Sequence, residues 1–220
     1  MKKKLSLVIY FSFLIIYLEL VYKLFVLNNV FSINSLTIIL FSIPFIMINT
    51  ILCSLFSEKV NRGISIILSL FLTFIFVSQY VYYLFYDSIF SVYSVKEGTG
   101  QVFGEFFNAI VKMVSDNVLS IILLLMPFIL FLIFGKKIFS FNKGKKSLVI
   151  ESISLLVFII VSLITVMFDD KGMYSLKNVY TKTHAPMITI NKVGLLSMEC
   201  LDLERYLFGF EEKLYNVKPS

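Results

Sequence analysis

LSLVIYFSFLIIYLELVYKLFVL, residues 5–27, is an apolar run interrupted only by Glu19 and Lys23. A helix rises about 1.5 Å per residue, so roughly 20 apolar residues cross a hydrocarbon core about 30 Å thick. Four more runs of about this length follow, at residues 36–56, 64–86, 118–135 and 148–168. A backbone inside lipid must satisfy its own hydrogen bonds, so runs this long read as helices and not as strands. The expected fold is therefore an all-α integral membrane protein with five transmembrane helices. Residues 1–168 would form the membrane domain, and residues 169–220 an extracellular juxtamembrane linker carrying an amphipathic helix.

Composition agrees. The 220 residues are 58% hydrophobic and 15% charged, against about 25% charged in soluble domains. With 24 Phe, 12 Tyr and no Trp, tyrosine must supply the interfacial belt, and Tyr80, Tyr82, Tyr83 and Tyr86 crowd the end of the third run. A net charge of +6 would suggest nucleic acid or anionic lipid in a soluble protein. Here the positive charges sit in loops, so no nucleic-acid partner is expected. Cys53 lies inside the second run and Cys200 in the C-terminal segment, placements that argue against a disulfide.

Charge sets the topology. Lys2, Lys3 and Lys4 precede the first run, and the loop at 28–35 is uncharged. Lys59 and Arg62 follow the second run against Glu58. The long loop 87–117 holds Asp87, Glu97, Glu105 and Asp116 against Lys96 and Lys112. Lys136, Lys137, Lys143, Lys145 and Lys146 follow the fourth run with no acid. Lysine and arginine favour every second loop, which assigns those loops and the N-terminus to the cytoplasm and residues from 169 onward to the exterior. The first run is too long for a signal peptide and no small-residue cleavage site follows it. Within it, Glu19 and Lys23 are one turn apart. They read either as a locally paired, snorkelling couple or as a polar contact facing the bundle or a headgroup.

Two segments outside the spans carry further pattern. In the loop 87–117, Val102, Phe103, Phe106, Phe107, Ile110, Val111 and Val114 recur at helical spacing after a Gly98–Gly100 turn signal, which predicts an interfacial amphipathic helix. In the C-terminal segment, Leu196, Cys200, Leu203, Leu207 and Phe210 form a helical stripe between Gly194 and Gly209, expected to press on the membrane surface. Residues 216–220 read as a linker, which suggests a following domain.

No catalytic constellation is visible. His184, the single histidine, reads as a loop residue beside Pro186, and Asp169–Asp170 as a solvated flank without a third metal ligand. Gly98-x-Gly100 follows no strand and is not a phosphate loop. No catalytic, cofactor-binding or metal residue is expected in this chain.

Residues 184–210, HAPMITINKVGLLSMECLDLERYLFGF, resemble the segment that leaves the membrane domain of lipoteichoic acid synthases and related phosphoglycerol transferases of the sulfatase superfamily. Residues 86–107, YDSIFSVYSVKEGTGQVFGEFF, are similar to the long outer loop of that family. The resemblance implies a multi-pass plasma-membrane protein of a Gram-positive bacterium. In that family an extracellular domain with a threonine nucleophile and a divalent metal, usually manganese, transfers glycerol phosphate from phosphatidylglycerol to a growing polymer. No residue of this chain corresponds to that threonine or to the metal ligands, so the chain is not expected to catalyse the transfer alone. The resemblance instead implies anchoring of a sulfatase-like catalytic domain and presentation of membrane lipid, with Glu19, Lys23, Gln101, Glu105 and Arg205 as candidate lipid or domain contacts.

Two other classes stay open. A small multi-pass transporter, channel subunit or membrane assembly factor would fit five spans, although no repeat and few mid-membrane polar groups support transport. A lipid transferase working within the membrane would have Glu19, Lys23, Gln79 and Glu105 as its only loose candidates.

Overall fold

The computed structural model describes residues 4–97, 107–141 and 144–211. In chain order the elements are β1 (Leu5–Ser6), α1 (Leu7–Leu27), α2 (Ile33–Leu52), α3 (Glu58–Tyr86), α4 (Val92–Glu97), α5 (Phe107–Asp116), α6 (Val118–Ile138), β2 (Phe139–Ser140), α7 (Lys145–Phe168), α8 (Leu176–Thr181), α9 (Pro186–Val193) and α10 (Leu195–Phe208). Five of these, α1, α2, α3, α6 and α7, are long and apolar enough to cross a membrane. The molecule is an all-α multi-pass membrane protein, as the apolar runs predict.

The helix ends depart from the apolar runs for local reasons. The second run extends to Phe56, but α2 stops at Leu52. Asn61 ties off the turn that follows: its Oδ1 accepts from the Phe56 N–H at 2.9 Å, and its Nδ2 donates to the Phe56 carbonyl at 2.8 Å. The third helix begins at Glu58, six residues before the apolar run, because the charged stretch through Arg62 adds a polar first turn with Glu58 near the positive end of the helix dipole. At the other end of the bundle, α1 and α3 close on Asn28 and Asp87 in the left-handed region (φ 50° and 48°), each N–H bonding back to the fourth residue before it. Short polar side chains tolerate that conformation.

The bundle is built around α1. Half of its apolar window is buried, against 17% for α7. α2, α3 and α6 surround α1, while α7 packs mainly on α2 and leaves most of its length facing outward. Tyr10 of α1 stacks on Phe131 of α6 with ring centroids 3.9 Å apart and donates its hydroxyl to Ser69 of α3 at 2.9 Å. The face of α3 that meets it is a ladder of small polar residues, Asn61, Ser65, Ser69 and Thr73, all fully buried. Ser65, Ser69 and Thr73 donate to the carbonyl one turn back at 2.6–2.8 Å. Lipid supplies no hydrophobic drive between helices, so close approach over small residues and buried hydrogen bonds holds spans together.

The loops sort onto two ends. β1 pairs with β2 in a two-residue parallel bridge, Leu5 opposite Phe139, which joins the start of α1 to the end of α6. Asn61 Nδ2 also donates to the Phe141 carbonyl at 2.9 Å and brings the α2–α3 turn to the same place. This basic end collects the lysine-rich loops. The opposite end carries α4, α8, α9 and α10. In a Cys53→Ala, Cys200→Ser background, Lys59→Cys and Lys137→Cys should react with a membrane-impermeant maleimide from one side of the membrane, and Lys177→Cys from the other. Labelling of Lys59→Cys and Lys137→Cys from opposite sides would disprove this arrangement.

Candidate functional site

At the end opposite the basic loops, the chain does not leave the bundle after α7. It folds back through α8, and α9 and α10 meet at an elbow at Gly194. α9 is started by Pro186, whose fixed φ suits a first turn. Gly194 has φ +88°, and a Cβ there would lie 2.6 Å from Glu19 Oε2. Glycine is required on both counts.

Glu19 and Lys23 hold this elbow. Glu19 is 2% exposed and sits eight residues before the end of α1. Its Oε2 accepts from the Leu195 N–H at 2.7 Å and its Oε1 from the Leu196 N–H at 3.0 Å. These are first-turn amides of α10, which have no partner inside their own helix. Lys23 is fully buried. Its Nζ donates to Ser32 Oγ at 2.9 Å, to Ser35 Oγ at 3.1 Å and to the Asn191 carbonyl of α9 at 3.4 Å. A carboxylate thus meets the positive N-terminus of α10, and an ammonium meets the negative C-terminal turn of α9. Of the two readings left open by sequence, the bundle-facing contact holds, and the couple is not a local ion pair.

A second contact lies one turn further along α10. Gln79 of α3 donates its Nε2 to the Phe90 carbonyl at 2.9 Å and to Glu199 Oε1, while its Oε1 accepts from the Phe90 N–H at 3.1 Å. Burial pushes the Glu199 carboxyl up to about 7. Its bond from Gln79 pulls the other way, and nearby Asp202 adds to the rise.

The third contact joins α10 to α4 and the His184 loop. Asp202, 2% exposed, accepts from the Ser91 hydroxyl and from the Val92 N–H. His184 Nε2 lies 3.2 Å from Ser91 Oγ and 3.1 Å from Ser94 Oγ, and Arg205 Nη1 lies 3.1 Å from His184 Nδ1. Arg205 Nη2 donates to the Val179 and Tyr180 carbonyls at 2.7 and 3.3 Å, and the guanidinium covers Phe210 at 4.2 Å.

Serine, histidine and aspartate together invite comparison with a nucleophile and its base, but the proton assignment runs the wrong way. Guanidinium only donates, so Nδ1 accepts, and the ring proton of neutral His184 is assigned to Nε2, where it donates to a serine oxygen. The Ser91 proton goes to Asp202. No imidazole lone pair faces the hydroxyl, so the arrangement lacks the base that activates serine. The space among His184, Thr189, Leu201 and Asp202 is about 10 Å³, room for roughly one water.

The sequence-derived candidates divide. Glu19, Lys23 and Arg205 all lie in this docking assembly, while Gln101 and Glu105 lie outside the described residues, as does the Gly98–Gly100 turn. The segment 102–114 contains α5, described from Phe107. The α10 helix forms between Gly194 and Gly209 as expected, but it buries Met198, Leu201, Asp202 and Arg205. Of the expected stripe, Leu196 is buried and Phe210 half-buried, while Cys200, Leu203 and Leu207 are exposed and free to meet a membrane surface. Ser91, Asp202 and Glu199 as docking groups were not legible, and Gln79 entered only as a loose candidate for lipid chemistry; the one signal was the scarcity of such residues in so apolar a chain. Asp169 Oδ2 meets Lys192 Nζ at 3.1 Å and the Leu176 N–H at 2.9 Å. Burial raises its carboxyl, but these two partners outweigh it and hold it below its usual range. Among the described residues no three of His, Cys, Asp and Glu converge on a metal-sized space.

No family model matches this chain, and neither a curated protein nor a solved structure does.

Glu19→Ala strips two buried amides of their acceptor and should loosen the C-terminal segment by about 2–4 kcal/mol. Gly194→Ala, which drives a Cβ into the same carboxylate, should act alike. Protease sensitivity of residues 169–211 in detergent reads both, and wild-type resistance in either variant would discount the elbow. Glu199 carries a pH signature. Its folded pKa lies above the ordinary carboxylate value, so the folded state binds the proton more tightly. Its contribution to stability is full below about pH 4.5 and is lost as pH rises through about 7. Protease resistance should fall over that window, and Glu199→Gln should flatten the fall; an unchanged slope in Glu199→Gln would exclude Glu199 as its source.

Proposed function

We propose that this chain is a membrane anchor and lipid-presenting platform that holds an extracellular sulfatase-like catalytic domain in a fixed orientation, as in lipoteichoic acid synthase-like phosphoglycerol transferases. The observation that supports the reading most is the Gly194 elbow. A passive tether needs no buried carboxylate and ammonium at the start and end of two helices, whereas a platform that must fix the direction of the following chain does. The Asp202–Arg205 contacts serve the same end, because they tie α10 to α4 and to the His184 loop.

In this reading the N-terminus is cytoplasmic, the elbow end faces the exterior of a bacterial plasma membrane, and the lipid is phosphatidylglycerol. The divalent metal belongs to the external domain; the acids nearest the exit of α7 do not suit it, since Asp169 is already held by Lys192 and a backbone amide. Chemistry by the chain itself has little support, because its serine–histidine–aspartate cluster lacks a base and a cavity.

The test is complementation of a bacterium lacking its polymer synthase. The chain alone should restore no polymer. The chain joined through Ser220 to a sulfatase-type domain should restore it, and the Gly194→Ala version of that fusion should restore several-fold less, as expected for a loss of roughly 1 kcal/mol or more in positioning. Polymer made by the chain alone would overturn the proposal. So would equal polymer when the same domain rides on an unrelated single-span anchor.

A further inference from the structure

Between α2 and α7, beneath α10, runs an open groove of about 190 Å³. Its walls are Phe41, Pro44 and Phe45 of α2 and Ile159, Ser162 and Leu163 of α7. Phe41 and Pro44 lie eight and eleven residues from the start of α2, and Leu163 and Ile159 five and nine residues from the end of α7. At about 1.5 Å per residue this places the groove roughly 8–17 Å below the elbow ends of the two spans, at the depth of acyl chains. For scale, an apolar cavity of about 150 Å³ stays dry and binds benzene. The groove therefore has room for a stretch of hydrocarbon.

Its polar groups distinguish it from a gap between helices. Ser162 is 7% exposed, and its hydroxyl has no hydrogen-bond partner. Other buried span hydroxyls, such as Ser42, Thr50 and Ser69, donate to the carbonyl one turn back at 2.6–2.8 Å. Ser162 does not, and it lines the groove. On the α10 side the lining is Ser197, Cys200, Leu201 and Glu204, with Tyr180 of α8 beside them, and it includes no lysine or arginine among the described residues. A phosphate placed there would meet a carboxylate and no cation, which disfavours an anionic headgroup. A hydroxyl would find an acceptor.

We infer that this groove binds a neutral diacyl lipid bearing a free hydroxyl, a diacylglycerol. One acyl chain lies between α2 and α7, an ester carbonyl accepts from Ser162, and the free hydroxyl donates to Glu204. A head without phosphate lets the glycerol sit deeper than that of a phospholipid, which suits an acceptor on the wall of a groove buried in the acyl layer. The inference goes beyond the anchoring proposal and does not depend on it, because its test contains no external domain.

The full chain is placed in nanodiscs with photoactivatable diacylglycerol or photoactivatable phosphatidylglycerol at equal mole fraction, and cross-linked peptides are identified by mass spectrometry. Diacylglycerol should label segments 41–45 and 159–163, with competition by unlabelled diacylglycerol and not by phosphatidylglycerol. Ser162→Ala should weaken labelling about tenfold. Glu204→Lys, at an exposed position where the fold is not at stake, should reverse the preference toward phosphatidylglycerol. Equal labelling by both lipids without competition would reduce the groove to ordinary annular contact and overturn the inference, as would labelling unchanged in both variants.

Discussion

The paired contact of Glu19 and Lys23 with the Gly194 elbow decides how the chain is organised beyond its five spans. A carboxylate or an ammonium alone in an apolar interior is costly, and so is an unbonded amide or carbonyl. At the elbow these costs offset one another. The first-turn amides of α10 are the donors Glu19 lacks, and the last turn of α9 offers a carbonyl to Lys23. One helical turn on α1 spans the elbow, so the i,i+4 spacing that could have made a local ion pair instead reads two helix ends at once. Removal of either partner would leave a buried charge uncompensated, which makes the contact specific for one register of the C-terminal segment.

The same logic recurs inside the bundle at lower stakes. Asn61, Ser65, Ser69 and Thr73 are buried along one face of α3 while large apolar residues such as Ile67, Phe71 and Phe74 face outward. Small residues let α1 come close enough for Tyr10 to reach Ser69. Asn61 then fastens the basic end by bonding two turns of chain, at Phe56 and at Phe141. The bundle is thus pinned by polar groups at both ends and packed by van der Waals contact between them.

This inversion explains what the sequence does and does not disclose. Long apolar runs mark the spans because length against bilayer thickness is a coarse, robust measure, and the glycines bounding α10 mark its ends because each takes positive φ. Which face of a helix points inward is another matter. In water an apolar stripe marks the core. Beside lipid it marks the exterior, and on α10 Cys200, Leu203 and Leu207 lie outward, as a membrane-facing stripe would, while Asp202 and Arg205 lie inward with Leu196. On α3 the small polar residues Asn61, Ser65, Ser69 and Thr73, four apart, lie on the inward face, a spacing not singled out from the sequence alone. Long-range partners such as Ser91 with Asp202, or Gln79 with Glu199, have no local signature at all, since nothing in either segment specifies the other.

The elbow also has a consequence for biogenesis. Glu19 and the amides it binds are separated by 176 residues. A nascent chain therefore inserts its first helix long before the groups that neutralise its carboxylate have been synthesised. On insertion scales an acidic or basic residue near a helix centre costs about 2.5–3.5 kcal/mol, so until the elbow closes α1 is a strained tenant of the bilayer. Closure of the elbow therefore satisfies the Glu19 carboxyl only once the chain through Leu196 has been made.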